Sequence, residues 1–178
     1  MSSDEKIHTL LNNISEKLKI ESNKIKNLDS YDGDIFIKKK YNVISQSGVY
    51  GIGESSIKNC PAIYIFYSKD GIENIAPSFN DVAYGSKAKQ KKDTSKNFVY
   101  LGKSYTVEER INEHLSGDEV SPYSLKYNHE NRKNVLKNTV LYIFELKENF
   151  KEYKEIILPR IEANLHSDCK PMIGSGRV

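Results

Sequence analysis

One run of β-forming residues constrains the fold more than any other part of the sequence. Thr139 to Leu146 reads Thr-Val-Leu-Tyr-Ile-Phe-Glu-Leu, so β-branched and aromatic residues occupy both alternating faces. A run of this kind is typical of a central strand that is covered on both sides. The chain must therefore place strands beside it and other elements above and below it.

Other hydrophobic patterns supply the neighbouring elements. Strands are predicted at residues 62–67 and 98–101, and a short edge strand at residues 35–37. Residues 4 to about 20 carry leucine and isoleucine at helical spacing, which predicts an amphipathic N-terminal helix. The order of elements along the chain indicates an α+β fold, a small central, mostly antiparallel sheet flanked by helices.

Four shorter helical segments are expected after residue 105. Thr106 followed by Glu109 has the pattern of a capping box, which predicts a helix over residues 107–116 with Gly117 as its C-cap. Ser121-Pro122 can start a second helix that runs to residues 125–127. Residues 150–157 look helical, and Pro159 is expected to end that segment and open a new helix through about Ser167.

The stretch from Phe98 to Leu115 brings polar chemistry to the predicted sheet. Its strand ends at Gly102, where a sharp turn is expected, and Arg110 and His114 share one face of the helix that follows. Tyr100, Lys103, Arg110 and His114 therefore converge within one strand–turn–helix unit. All of them except the phenol donate hydrogen bonds to anions, so a phosphate group is the expected guest.

These residues resemble the motifs of the GIY-YIG nuclease superfamily. The segment Val-Tyr-Leu-Gly-Lys-Ser at residues 99–104, followed by Arg110 and His114, is similar to the second half of its signature, and Ala-Ile-Tyr at residues 62–64 is similar to the first half. Glu162, in a segment that leads to Lys-Pro at residues 170–171, resembles the glutamate of the family's last motif. The resemblance covers about residues 61–174.

The resemblance implies a Mg²⁺-dependent (or Mn²⁺-dependent) DNA endonuclease that uses one metal ion and resembles the type II restriction members. It implies six catalytic residues: Tyr64, Tyr100, Lys103, Arg110, His114 and Glu162. Glu162 would hold the metal, and Arg110 would neutralise the transition state. Tyr64 would be the general base, with Lys103 lowering its pKa.

The other two roles follow from the same resemblance. Tyr100 would orient the water or the phosphate, and His114 would bind a phosphoryl oxygen or Tyr64. The general base stays open among Tyr64, Tyr100 and Tyr50, because Gly-Val-Tyr at residues 48–50 fits the first tripeptide better than Ala-Ile-Tyr does. Many restriction-type members have asparagine where Gly174 stands, and Asn164 is the proposed replacement.

The family resemblance also implies how the chain is divided into segments. We expect a single domain over residues 1–178, with residues 1–60 as an N-terminal helical and loop extension and residues 61–178 as a GIY-YIG-like core. A long basic insertion at residues 68–97 separates the two halves of the signature, and we expect its lysines to hold the DNA backbone. These lysines are Lys87, Lys89, Lys91, Lys92 and Lys96.

Composition limits the other properties of the protein. The length of 178 residues suits one domain, and no apolar run approaches the roughly 20 residues that cross a bilayer. The N-terminus lacks a signal-peptide hydrophobic region, and two cysteines are too few for a disulfide framework or a zinc cluster, so we expect a cytoplasmic protein. The expected partners are double-stranded DNA and a second copy in a homodimer, without a membrane.

Other functions compete with the restriction-enzyme hypothesis. A homing or mobile-element nuclease, a structure-selective repair nuclease and a non-catalytic DNA-binding module of the same fold are the alternatives. Glu145-Leu146-Lys147 has the Glu-x-Lys form of a second nuclease class, but no upstream Asp is apparent on a neighbouring strand. Residues 128–131 superficially resemble HNH enzymes, without the flanking pattern of that class.

Overall fold

The computed structural model describes residues 3–46, 49–53, 56–73, 89–90, 95–116, 124–128 and 138–174. They include three α-helices: α1 (Ser3–Lys26), α2 (Val107–Leu115) and α3 (Lys154–Cys169). Two short 3-10 segments, Leu28–Ser30 and Glu148–Tyr153, precede the first strand and α3. No helix in this part of the chain combines the length and the apolar character that a membrane crossing requires.

Strands from the whole chain join in one sheet. They are β1 (Phe36–Gln46), β2 (Val49–Ile52), β3 (Ala62–Ser68), β4 (Lys89–Gln90), β5 (Phe98–Ser104), β6 (Thr139–Leu146) and β7 (Ile173–Gly174). Their order across the sheet is β2-β1-β6-β3-β5-β7-β4, and among these pairings that of β5 with β7 is parallel while the others are antiparallel. The predicted α+β fold, with a mostly antiparallel sheet flanked by helices, is confirmed.

The strand β6 lies inside the sheet, as its apolar run predicts. It pairs with β1 on one side and with β3 on the other. Leu141 and Ile143 pack in a core with α2, whereas Tyr142 and Phe144 pack in a second core with α1 and α3 on the opposite face. The two-residue period of a strand therefore sends alternate side chains into two separate cores.

This alternation decides which residues of β3 and β5 can form a site. Tyr64 of β3 and Tyr100 of β5 belong to the α2 layer, whereas Ile63 and Leu101 belong to the layer of α1 and α3. Burial of a side chain such as Ile63 stabilises the fold by about 1.5–3 kcal/mol. A one-residue slip of either strand would exchange the two sets, so the two apolar cores fix the register of the site.

The expected short edge strand at residues 35–37 is wrong in length, because the strand β1 has 11 residues. Its first part, which includes Phe36 and Ile37, pairs only with β6 among the described strands and so lies at an edge as expected, whereas its last four residues pair with β2. Three consecutive lysines lie within β1, and each binds Asp29 or Glu145 at 2.6 Å. The Lys38 ammonium donates to the backbone carbonyl of Asp29, the Lys40 ammonium binds the Asp29 carboxylate, and the Lys39 ammonium binds the Glu145 carboxylate. The N-terminal extension is therefore part of the sheet.

A buried polar contact joins α1 to β1. Glu21 is only 4% exposed, and its carboxylate accepts hydrogen bonds from the Tyr31 hydroxyl and from the backbone N–H of Ile35. The Tyr31 hydroxyl oxygen in turn accepts a hydrogen bond from the backbone N–H of Phe36, the first residue of β1. A buried carboxylate is tolerated only when such partners satisfy it, so these bonds fix the position of α1.

Two helix predictions are wrong in part. The helix α3 runs through Pro159 without a break, because Leu158 and Ile161 on either side are fully buried and their packing outweighs one missing backbone hydrogen bond. Residues 124–126 have no regular structure and residues 127–128 form a turn, so the helix expected to run to residues 125–127 does not extend there.

The helix α2 begins at Val107 as predicted, but its capping box does not form. Thr106 makes no side-chain capping bond. The Glu109 carboxylate accepts a hydrogen bond from the Asn59 side chain at 2.9 Å instead. The helix ends at Leu115, and the expected cap at Gly117 lies outside the described residues.

Candidate active site

Tyr64 lies at the centre of the site. It stands opposite Gly102 in the pairing of β3 with β5, and it is only 1% exposed. Its hydroxyl oxygen is 2.9 Å from Nε2 of His114 and accepts a hydrogen bond from Nε of Arg110 at 3.4 Å. The shared helical face of Arg110 and His114, predicted from their four-residue spacing, therefore meets a single phenol.

Gly102 allows two phenols to approach the strand β5. A Cβ atom at this position would lie 2.6 Å from Oη of Tyr64 and 2.9 Å from Cε1 of Tyr100. The two rings are stacked, with centroids 5.9 Å apart and an angle of 24° between their planes. The strand continues past Gly102 to Ser104, so the sharp turn expected at this glycine is wrong. The glycine is needed for the close approach of the side chains.

Tyr100 is the accessible phenol of the pair. It is half-buried, whereas Tyr64 is almost completely covered. Its ring centroid lies 4.8 Å from that of His114, and its backbone pairs with Ile173 of β7. A ligand from solvent can therefore meet Tyr100 without a rearrangement of the core.

His114 is completely buried and uses both ring nitrogens. Its Nδ1 accepts a hydrogen bond from the backbone N–H of Leu125 at 3.1 Å, and its Nε2 faces the Tyr64 hydroxyl. Burial and the nearby Arg110 guanidinium hold the pKa of His114 well below its usual value, so the imidazole is neutral at pH 7. Of the two partners expected for His114, a phosphoryl oxygen or Tyr64, the structure has Tyr64.

Arg110 joins the phenol to the surface of α2. Its Nη1 forms an ion pair with the Glu113 carboxylate, and 18% of its side chain is exposed. Burial opposes the charge of Arg110, but the neighbouring Tyr64 and Tyr100 and the bond to Glu113 outweigh this and raise its pKa. The guanidinium is thus a permanent positive charge beside the two phenols.

A short segment that the sequence did not point to, residues 124–128, holds the end of α2. The Ser124 hydroxyl donates to the Glu113 carbonyl, the Tyr127 N–H donates to the His114 carbonyl at 3.0 Å, and the Asn128 N–H donates to the Leu115 carbonyl at 3.2 Å. These bonds satisfy carbonyls that the end of a helix leaves without intrahelical partners. Backbone contacts of this kind leave no signature in the sequence, so only the structure identifies them.

Glu162 lies on α3, on the opposite side of the sheet from α2, but its carboxylate reaches the edge of β5. Its Oε1 accepts a hydrogen bond from the backbone N–H of Lys103 at 3.2 Å. Lys103 directly follows Gly102, over which Tyr64 and Tyr100 lie. The carboxylate therefore stands beside β5, the strand that carries Tyr100, and Glu162 is half-buried at the boundary between the two layers.

The donor set at Glu162 fits Mg²⁺. This ion accepts one or two carboxylates together with water and substrate phosphate, and a carboxylate oxygen can bind a cation while accepting a backbone hydrogen bond. In that bond the Glu162 carboxylate is held by a backbone N–H.

Two other predicted site residues lie elsewhere. Lys103 stands opposite Ile63 in the pairing of β3 with β5, which places it toward the layer of α3, and its ammonium lies 5.2 Å from the ring centroid of Tyr105. It therefore does not lower the pKa of Tyr64. The Asn164 side chain donates to the Ser22 hydroxyl of α1 at 3.2 Å, so Asn164 does not replace the missing asparagine of the resemblance.

The competing tyrosine and the basic insertion are only partly described. Tyr50 belongs to β2, which is separated from β3 by two strands, so it is not beside Tyr100. Lys96 is exposed, and the backbone of Lys89 belongs to β4. Lys87, Lys91 and Lys92, as well as the side chain of Lys89, lie outside the described residues.

The competing nuclease signatures gain no support. The Glu145 carboxylate is 12% exposed and forms an ion pair with Lys39 at 2.6 Å. The part of the chain that the structure describes contains no group of three His, Cys, Asp or Glu side chains that could hold a metal ion. The Asn128 side chain donates to the Leu115 carbonyl, and residues 129–131 lie outside that part.

The site is thus defined by two phenols, a guanidinium and a buried imidazole over Gly102, with one carboxylate at the adjacent strand edge. Comparisons of the chain with models of known protein families, with curated proteins and with solved structures found no match.

Proposed function

We propose that the protein is a Mg²⁺-dependent endonuclease that hydrolyses phosphodiester bonds in double-stranded DNA. The observation that carries this proposal is the meeting of Arg110, Tyr64, Tyr100 and His114 on one side of Gly102, with Glu162 at the edge of the same strand. A permanent cation, a hydroxyl donor and a carboxylate at the strand edge are the groups that a phosphodiester and its metal ion require.

Arg110 supplies charge stabilisation. Its guanidinium has five N–H donors, of which one binds Tyr64 and another binds Glu113. The position beside two neutral phenols places a fixed positive charge where negative charge develops on the phosphoryl oxygens. Preorganised groups of this kind are effective because they need no reorientation during the reaction.

Tyr64 does not suit the role of general base. Burial, and the nearby Tyr100, raise the pKa of Tyr64 well above its usual value, and Arg110 offsets this only in part. A general base works best when its pKa is near the working pH, so a buried neutral phenol is a poor acceptor for the proton of a water molecule. We therefore assign Tyr64 to the support of Tyr100, and Tyr100 to contact with the phosphate.

Glu162 is the residue that would hold the metal ion. When bound, Mg²⁺ would lower the pKa of a water molecule and stabilise the leaving 3′-oxygen. The chain itself contributes the position of the carboxylate, which the Lys103 N–H fixes against β5, the strand that carries Tyr100.

Among DNA endonucleases we favour a sequence-specific type II restriction enzyme that acts as a homodimer. Homing enzymes of the resembled family generally carry a separate DNA-binding module. Here α1 and β1, which belong to the first 60 residues, are built into the sheet and its core instead. This arrangement favours recognition of DNA by the domain itself.

The test is the cleavage of supercoiled plasmid DNA in Mg²⁺ by the wild-type protein, by Glu162→Gln and by Glu155→Gln. Glutamine at position 162 keeps an oxygen for the Lys103 N–H but loses the charge that binds the metal, so the variant should fold and lose cleavage. Glu155 is exposed on the same helix, and its variant should cleave like the wild type.

The same experiment separates the alternatives. Discrete fragments from intact plasmid support a restriction enzyme, and cleavage confined to branched or damaged DNA would replace it with a repair nuclease. If the wild-type protein binds DNA but cleaves neither DNA nor RNA, the nuclease proposal is wrong and a binding module of this fold takes its place.

A further inference from the structure

The hydrogen bonds at His114 have a fixed direction. The backbone N–H of Leu125 can only donate, so Nδ1 of His114, which accepts this bond at 3.1 Å, carries no proton. A neutral imidazole has one ring proton, which must then be on Nε2. The contact of 2.9 Å between Nε2 and the Tyr64 hydroxyl is therefore a bond that His114 donates.

The direction at His114 determines the direction at Tyr64. The Tyr64 oxygen accepts one bond from Nε2 of His114 and a second from Nε of Arg110, which is also only a donor. A hydroxyl oxygen has two lone pairs, so both are occupied and the Tyr64 proton has to be donated. The Tyr100 ring is stacked on that of Tyr64 across Gly102, with the ring centroids 5.9 Å apart.

We propose that Leu125, His114, Tyr64 and Tyr100 form a directed chain of hydrogen-bond donors, in which Tyr64 donates to the stacked Tyr100 and the hydroxyl of the half-buried Tyr100 donates to an oxygen of the phosphodiester. Each member donates to the next, so the Tyr100 proton is left to face solvent or substrate. Donors in such a chain polarise one another, which strengthens the last bond. The anion is named as a phosphodiester on the basis of the proposed function, whereas the direction of the chain is independent of it.

This hydrogen-bond chain gives the buried His114 and Tyr64 a role in which neither of them changes its protonation state. His114 and Tyr64 are positioning residues that act through Tyr100, which is the group that touches the substrate. The segment of residues 124–128 is part of the site, because the Leu125 N–H sets which nitrogen of His114 carries the proton. Displacement of this segment would allow the opposite tautomer and reverse the chain.

The first test is the tautomer of His114. The protein is labelled with ¹⁵N-histidine, and the long-range ¹H–¹⁵N spectrum of the folded wild-type protein is recorded at neutral pH. A proton on Nε2 alone supports the chain. A proton on Nδ1, or on both nitrogens, overturns it. His114→Gln identifies the His114 signals by their loss.

The second test is phosphodiester binding in the absence of Mg²⁺. The thymidine dinucleotide TpT is titrated into ¹⁵N-labelled protein, and its Kd is read from the Gly102 amide. Tyr100→Phe should raise the Kd by about tenfold, since a hydrogen bond to a charged group is lost. Tyr105→Phe, which removes an exposed hydroxyl outside the chain, should leave it unchanged. Equal Kd values for the two variants would overturn the chain.

A pair of His114 variants tests the role of the Nε2–H donor. Gln carries an amide N–H near the position of Nε2, and Leu has no donor. His114→Leu should weaken TpT binding, and His114→Gln should recover most of it, provided that circular dichroism shows both variants folded. If both fold and bind TpT equally, the donor at position 114 has no role. Should one fail to fold, the tautomer and Tyr100→Phe tests decide.

These outcomes are separate from those of plasmid cleavage. If the protein cleaves no DNA but has the Nε2–H tautomer and Tyr100-dependent binding of TpT, the nuclease proposal is refuted and the hydrogen-bond chain is supported. If the protein cleaves plasmid while His114 carries its proton on Nδ1, the hydrogen-bond chain is refuted and the nuclease proposal is supported.

Discussion

Replacement of Gly102 by alanine tests the packing on which the site is built. The new Cβ atom would be 2.6 Å from Oη and 2.8 Å from Cζ of Tyr64. Tyr64 cannot simply move aside, because its ring is buried in the core and its hydroxyl is bonded to Arg110 and His114. The contact must therefore displace the phenol from both partners.

The size of the effect follows from these contacts. Overpacking of a filled core costs about 1–3 kcal/mol, and weakening of two hydrogen bonds adds about 0.5–1.5 kcal/mol each. We expect Gly102→Ala to lower the free energy of unfolding by roughly 2–6 kcal/mol, measured by urea denaturation and compared at equal m-value.

The matched control is Gly51→Ala. It also lies on a strand, but a Cβ there would meet no atom of the described residues within 4 Å. Its free energy of unfolding should stay within about 0.5 kcal/mol of the wild type. In a Tyr64→Leu background, which removes the ring, Gly102→Ala should cost at least 1 kcal/mol less, as roughly expected for residues in contact. Equal losses for Gly102→Ala and Gly51→Ala would refute the close approach of Tyr64 to β5.

Other expectations concern single groups. Tyr64→Phe leaves the Arg110 Nε–H and the His114 Nε2–H without their acceptor, so it should lower the free energy of unfolding by about 1–3 kcal/mol, whereas Tyr153→Phe, at an exposed position, should not. The pKa of His114 is held well below its value in the unfolded chain, so on acidification the unfolded state binds the proton first. The free energy of unfolding, measured by urea titration, should therefore fall as the pH drops below about 6.5, and His114→Gln should make this fall smaller. Burial raises the pKa of the Cys169 thiol from 9.0 to about 12, so the free energy of unfolding should fall as the pH rises through that range, and it should fall less in Cys169→Ala. A thiol reagent at about pH 8 should modify the half-buried Cys60 before Cys169. If Cys169 reacts as fast as Cys60 in the folded protein, the burial argument for Cys169 is wrong.

Local patterns were sufficient to predict the centre of the fold. The apolar run of β6 predicted a central strand, and the pairing of β3 with β5 brought Tyr64 beside Tyr100. The spacing of Arg110 and His114 predicted one helical face, because four residues are close to one helical turn. These features depend on neighbouring elements, which sequence periodicity describes well.

The errors have a common physical cause, which is contact between distant parts of the chain. The strand predicted at residues 35–37 stops before the three lysines of β1, because Asp29 and Glu145, which bind them, are not adjacent to them in sequence. Pro159 read as a helix boundary, because the burial of its neighbours on α3 is not visible in their order. Tertiary contacts outweighed the local preference in both cases.

The candidate site also combines features that the local sequence predicts with features that depend on tertiary contacts. The motif letters predicted Tyr64, Tyr100, Arg110, His114 and Glu162 as site residues, and the structure brings the first four together over Gly102. The burial of Tyr64 and His114 and the backbone bond from residue 125, on which their proposed roles depend, are not visible in the letters. Lys103 was assigned to Tyr64 because they are near in the motif, although strand alternation directs it to the other face.

The central claim is that Glu162 and the two phenols serve one site across the strand β5. It is tested most directly by adding Mn²⁺ to ¹⁵N-labelled protein, because a paramagnetic ion broadens the amide signals nearest to it. The Lys103 amide, which donates to the Glu162 carboxylate, should broaden first and that of Gly102 next, and Glu162→Gln should abolish both effects while Glu155→Gln does not. Broadening that begins elsewhere, or that persists in Glu162→Gln, would contradict the account.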